Sequence, residues 1–234
     1  MAKWTTRAAC ILAALTLGAC GDLFGGPGTV APASSVTAPG GATVSARVQQ
    51  LRADQNAVAS SHQAQVNQLQ ALRNALGGEA RGYNTAVSQI TSRLSVGTTP
   101  ANPEMVARWN QAQGHLDKIT GDIGVLNSLA TQVTTQASVA GHLLDTIRST
   151  YNVGGAVDED HRQLRQIEAD TNRTMQAIDR LIGDLNGEIA RQNAFLAAER
   201  SNLAGLSYGV SAGRLGGGPA TAAGGPRPYP GRRF

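Results

Sequence analysis

The sequence predicts an all-α protein: an elongated, antiparallel three-helix bundle of coiled-coil type, set between a disordered N-terminal tether and a disordered C-terminal tail. Three observations carry that expectation. Apolar residues recur at alternating spacings of four and three through three long segments, the pattern that keeps one side of a helix turned to a partner. Aromatic residues make up 4% and charged residues 15% of the 234, so a large mixed core is not available. Ala, Leu, Ile and Val instead fill the narrow seams of a helical bundle. Finally, the breaks between segments are short, which forces consecutive helices back on each other.

The chain opens with Lys3 and Arg7, followed by an uncharged, mostly small and apolar run from Ala8 to Ala19. That is the n-region and h-region of a signal segment, here residues 1–19. A dozen apolar residues fall short of the roughly twenty that a bilayer-spanning helix needs. The run ends in Leu17, Gly18, Ala19 and Cys20. This resembles the lipobox of bacterial lipoproteins, in which small side chains flank the scissile bond and the cysteine thiol takes up diacylglycerol. The resemblance implies that Cys20 becomes a lipidated N-terminus and that the membrane partner is reached through its acyl chains. Each buried methylene contributes about 0.8 kcal/mol, so two or three chains anchor firmly without a transmembrane helix. In that family an Asp directly after the cysteine favours retention at the inner membrane. Gly21 fills that place here and Asp22 follows, which points to the outer membrane.

After such processing Cys10 is gone and Cys20 is consumed, so disulfides and thiol chemistry are not expected. Loss of Lys3 and Arg7 lowers the formal charge from +4 to +2, and nothing in the composition suggests a nucleic-acid partner. Residues 20–42 are Gly, Pro, Ala, Ser and Thr with almost no charge, the composition of a flexible tether.

The bundle is expected over residues 43–206, with helices at about 44–94, 103–151 and 157–206. The first seam passes through Val44, Val48, Leu51, Val58, Leu69, Leu72, Leu76, Tyr83, Ala86 and Ile90, interrupted by Gln55, His62, Gln65 and Glu79. Gly77, Gly78 and Gly82 weaken this helix by roughly 1 kcal/mol each relative to Ala, and a kink is expected near Gly77. The second seam is apolar throughout: Met105, Trp109, Ala112, Leu116, Ile119, Ile123, Leu126, Ala130, Val133, Ala137, Ala140, Leu144, Ile147 and Tyr151. Pro103 suits its first turn. Asn152, Val153, Gly154 and Gly155 close it, and Asp158, Glu159 and Asp160 place negative charge at the start of the third helix. The third seam runs through Leu164, Thr171, Met175, Ile178, Ile182, Leu185, Ile189, Gln192, Leu196, Leu203 and Leu206, widened by Ile167, Leu181 and Phe195. At about fifty residues each, the helices would be about 75 Å long.

Residues 207–234 turn to Gly, Ala and Pro and end in a basic, proline-rich stretch containing Arg227, Tyr229, Arg232 and Arg233. Such a tail is expected to be disordered when free. These four residues are its candidate partner contacts, since proline lowers the ordering entropy that binding would cost. An up-down-up bundle would present the tail at the end away from the lipid.

Other candidates favour structural readings. Asp158, Asp160 and His161 have the chemistry of cation ligands, but acids at a helix N-terminus explain them without a metal. His62, His115 and His142 lie on or beside the seams, as partly buried polar residues that fix register. Gly114, Gly121, Gly124, Gly141, Gly183 and Gly187 would suit close helix packing, either membrane-type or in a tightly spaced bundle. Charges such as Asp117, Lys118, Asp122 and Arg180 disfavour membrane insertion of the helices. No nucleophile elbow, phosphate loop, paired-carboxylate pocket or zinc signature is present, so no enzyme, cofactor or metal is expected.

The stretch Ala-Val-Asp-Glu-Asp-His-Arg-Gln-Leu at 156–164, with Glu-Arg-Ser-Asn-Leu at 199–203, is similar to coiled-coil envelope proteins of Gram-negative alphaproteobacteria. Some of those carry an outer-membrane-protein-A-type peptidoglycan-binding domain after the helices. No such domain follows the helices here, so the resemblance implies an envelope location without that route to the cell wall. The functional expectation is a periplasmic scaffolding lipoprotein that spaces a protein or peptidoglycan partner from the membrane. The alternative is an adaptor or regulatory subunit of a secretion, efflux or wall-synthesis complex. The oligomeric state is left open between a closed monomer and an assembly.

Overall fold

The computed structural model describes residues 39–215, with side chains from residue 43 onward. They form three helices: α1 (Pro39–Val96), α2 (Pro103–Thr150) and α3 (Asp158–Ala212). No strand occurs among the described residues. Each helix packs on both others. Side-chain bonds from Ser45 to Asp160 and from Tyr83 to Glu199 show that α1 and α3 run in the same direction. Bonds from Ser61 to Gln136 and from Glu79 to His115 show that α2 runs opposite to α1. The fold is thus the up-down-up bundle that the seams predict. The signal segment, Cys20 and its tether up to residue 38, and the tail residues Arg227, Tyr229, Arg232 and Arg233 lie outside the described residues.

Local chemistry sets the ends of the helices. Asn102 accepts the Glu104 backbone N–H at 2.9 Å through Oδ1 and so caps α2, with Pro103 in the first turn. The Asp160 carboxylate accepts the Val157 N–H at 3.2 Å, which satisfies an otherwise orphaned donor at the start of α3. At the other end Gly213 adopts a left-handed conformation with φ 72°, and the Arg214 N–H closes on the Gly209 carbonyl.

Two predicted boundaries move. α1 begins at Pro39 instead of residue 44, so the helix takes in the end of the expected tether. It also continues as helix through Gly77, Gly78 and Gly82. α3 reaches Ala212, six residues into the expected tail, because the α1–α2 loop clasps its end. Thr98 N–H donates to Gly213 O at 2.7 Å, Ala101 N–H to Val210 O at 3.1 Å, and Leu215 N–H to Leu94 O at 3.3 Å. Val210 is buried there with Ile90, Leu94 and Met105. A Cβ on Gly213 would overlap the Thr98 carbonyl, so only glycine fits under this loop.

The α2 seam is buried or half-buried at every predicted position, and Leu129 and Leu143 extend it. The α3 seam needs a correction. Its deepest line passes through Ile178, Leu181, Leu185, Glu188, Gln192, Phe195 and Glu199, while Ile182 and Ile189 are only half-buried. Two carboxylates therefore occupy core positions where aliphatic residues are expected.

Candidate functional site

Four buried or part-buried polar pairs form rungs between α1 and α3. Ser45 Oγ donates to Asp160 Oδ1 at 3.0 Å, and Arg52 Nη1 meets Asp170 Oδ2 at 2.8 Å. Arg73 Nε donates to Glu188 Oε2 at 3.1 Å, and Tyr83 Oη donates to Glu199 Oε2 at 3.0 Å. The sequence separations of these four pairs stay between 115 and 118, so two parallel helices keep one register from end to end.

Glu188 is the most heavily bonded of these groups. Arg191 Nη2 reaches it at 2.6 Å and Gln192 Nε2 at 2.7 Å, in addition to Arg73. Burial pushes its carboxyl up, but the bonds from Gln192, Arg191 and Arg73 outweigh that and hold it below its ordinary value. Arg73 Nη2 is itself buried without a hydrogen-bond partner among the described residues. Glu199, 1% exposed, accepts from Tyr83 and from Asn202 through Oε2, while its Oε1 has no hydrogen-bond partner among the described residues. Burial, and then the Glu199 carboxylate, drive the Tyr83 phenol far above its ordinary value, so it remains a donor.

A second cluster joins α1 to α2. His115 Nδ1 lies 2.6 Å from Glu79 Oε2, and Lys118 Nζ lies 3.4 Å from Glu79 Oε1. The hydrogen bond from His115 is the main reason the Glu79 carboxyl lies below its ordinary value. Asp122 is pushed the other way, first by burial and then by the Glu79 charge. A Cβ on Gly82 would overlap the His115 ring, so this glycine is what lets the imidazole lie against α1.

The other candidates that the sequence singles out separate clearly. Asp160 is a cap and a rung, and His161 stacks on Tyr151 with ring centroids 6.1 Å apart. Neither geometry presents a free ligand set, and Asp158 is exposed. His62 sits in the α1 seam with Nδ1 buried and unpartnered among the described residues. Burial first, and Arg180 second, lower its pKa from the ordinary 6.5. His115 does join two helices, but His142 is exposed, so a register role fits the first and not the second. Gly114, Gly121, Gly124, Gly141 and Gly183 face open space, which removes close packing within the bundle as their explanation. Gly187 only abuts Arg191, whose Nη1 would lie 3.3 Å from an added Cβ.

Sequence reasoning passed over Glu188 and Glu199. The signal was present, since both continue a spacing of four and three through Leu181, Leu185, Gln192 and Phe195. What hid them was the assumption that a seam position is apolar. Among the described residues no helix is long and apolar enough to cross a membrane, and no group of three or more His, Cys, Asp or Glu is placed to hold a metal ion. Two surface depressions among the described residues are open grooves between α1 and α2. Comparison with family models, with curated proteins and with solved structures finds no match for this chain.

Proposed function

We propose that this protein is a non-enzymatic structural lipoprotein of the bacterial envelope, anchored by lipid on Cys20, whose helical rod holds a protein or cell-wall contact at a fixed distance from the membrane. The observation that carries the reading is the use of the interior polar groups. Asp160, Asp170, Glu188 and Glu199 are engaged by helix-to-helix bonds that fix register along the whole rod. Such a body transmits distance instead of gathering reactive groups in a cleft. At about 1.5 Å per residue, the 58 residues of α1 span about 87 Å. α1 begins, and α3 ends, at opposite ends of the bundle, so a chain anchored ahead of α1 offers the far end to a partner. The lipobox resemblance at Leu17, Gly18, Ala19 and Cys20 supplies the anchor in this reading.

Deleting the gene and imaging the envelope tests the proposal. The expected result is altered or irregular spacing between membrane and wall, restored by the full chain but not by one with a substantial part of the rod removed in frame. Unchanged spacing, with no envelope component co-purifying with the full chain, would contradict it.

A further inference from the structure

Charge is distributed unevenly around the bundle. Residues 55–72 of α1 and 123–144 of α2 contain no Asp, Glu, Lys or Arg. The two runs lie side by side, because Ser61 Oγ donates to Gln136 Oε1 and Gln136 Nε2 donates to the Val58 carbonyl. Their exposed residues are Asn, Gln, Ser, Thr, Ala, Val and Gly, with His142 near the end of the α2 run. Over the same axial span α3 carries Arg173, Asp179, Arg180 and Asp184. One face of the rod is therefore neutral for about 27 Å while the other is charged.

The neutral face has relief. At one end of this face a groove of about 340 Å³ between α1 and α2 has Ala57, Val58, Val139 and Leu143 in its lining, together with the charged Arg47 and Asp54 and with His142, and Val139 is 49% exposed at its side. Beyond the neutral run lie Arg47 on α1 and Asp145 on α2, both exposed and in no ion pair among the described residues. The bond from Gln136 to the Val58 carbonyl places Arg47 within about one helical turn of the level of Asp145.

We propose that this α1/α2 face binds a second copy of the same chain, the two related by a two-fold axis along the helices. That operation sets α1 against the α2 of the other copy at the same level. Val139 then enters the other copy's groove beside Ala57, and each Arg47 meets the other copy's Asp145. A neutral band fits itself without like-charge repulsion, and it offers nothing for a strongly charged partner to read. The flanking charges complement each other under the same rotation. A band about 27 Å long and two helices wide covers on the order of 500 Å² per copy, at the low end for a specific interface. The association is accordingly weak and reversible, and it does not require lipid on Cys20.

Photo-cross-linking in cells tests this with the full chain. Two copies with different tags are co-expressed, each carrying a cross-linking residue at position 139, at position 57, or at position 173 on the charged face. A product of twice the chain mass bearing both tags is expected from positions 139 and 57 and not from 173. With the cross-linker at position 57, Val139→Lys should abolish it. Arg47→Glu should lower it about fivefold, the effect of about 1 kcal/mol, and adding Asp145→Arg should restore it. Equal yield from position 173, failure of the charge swap to restore the product, or no such product would overturn the proposal. So would cross-linking from 139 and 57 to a different protein, which would assign the face to an adaptor role.

Discussion

The α2 seam and the α1–α3 junction solve the same packing problem with opposite materials. α2 presents apolar side chains at every seam position from Met105 to Ile147, most of them fully buried. The α1–α3 junction is interrupted by Asp160, Glu188, Gln192 and Glu199 on α3 and by Gln55 and Gln65 on α1. Apolar burial draws helices together at roughly 25 cal/mol per Å² but is indifferent to a slip of one heptad, because the next leucine fits nearly as well. Buried polar rungs contribute less to stability, yet a slip leaves each one unpaired at a cost of about 1 to 3 kcal/mol. The division of labour follows: α2 supplies cohesion, and the junction of the two parallel helices supplies register.

The largest effect should come from opening the α2 seam. Leu126 is fully buried, and Leu126→Ala should lower the unfolding free energy by about 3 to 4 kcal/mol through lost transfer energy and the cavity left behind, read as a shifted urea midpoint. Breaking the central rung comes next. Glu188→Ala should destabilise by about 3 kcal/mol, because it leaves Arg73 half-buried without its partner. Replacing both, as Arg73→Met with Glu188→Leu, should recover most of that loss while relaxing the register. Cross-linking engineered cysteine pairs along α1 and α3 would detect the relaxation as off-register products. Should the double variant stay as unstable as Glu188→Ala, the rung would be a source of cohesion, and the contrast with α2 would fail.

Tyr83→Phe removes the donor to Glu199 and should cost about 1 to 2 kcal/mol, seen in the same urea titration. The smallest effect is a pH dependence. His62 has a folded pKa below the ordinary 6.5, so the unfolded chain binds its proton first and stability falls as pH drops below that value. Glu188 has a depressed folded pKa, so its contribution is present above the ordinary 4.5 and is lost as pH falls further. Melting curves should therefore show two successive losses on acidification. His62→Leu should remove the upper one, which amounts to at most about one proton of slope.

Much of this architecture was legible in the sequence, and the misses share one cause. The α2 seam was readable because apolar spacing alone decides it, from Met105 through Leu126 to Ile147. The buried carboxylates keep the seam spacing, but what allows a charge to be buried there is a partner over a hundred residues away: Arg73 for Glu188 and Tyr83 for Glu199. No local pattern encodes that distance. The end of α3 was misplaced for a related reason. Ser207 to Ala212 has the composition of a loop, and it becomes helical because Val210 and Gly213 are held by the α1–α2 loop. Gly82, counted as a helix-weakening residue, is explained only once the His115 ring is seen against it.

A rod that sets distance from a membrane needs a fixed end, and in the proposed function that end is lipid on Cys20. Metabolic labelling with a clickable palmitate analogue, followed by pull-down of the full chain, tests this directly. The wild-type chain should carry the label and sediment with membranes, and Cys20→Ser should lose the label while keeping a helical spectrum. An unlabelled wild-type chain recovered in the soluble fraction would contradict it.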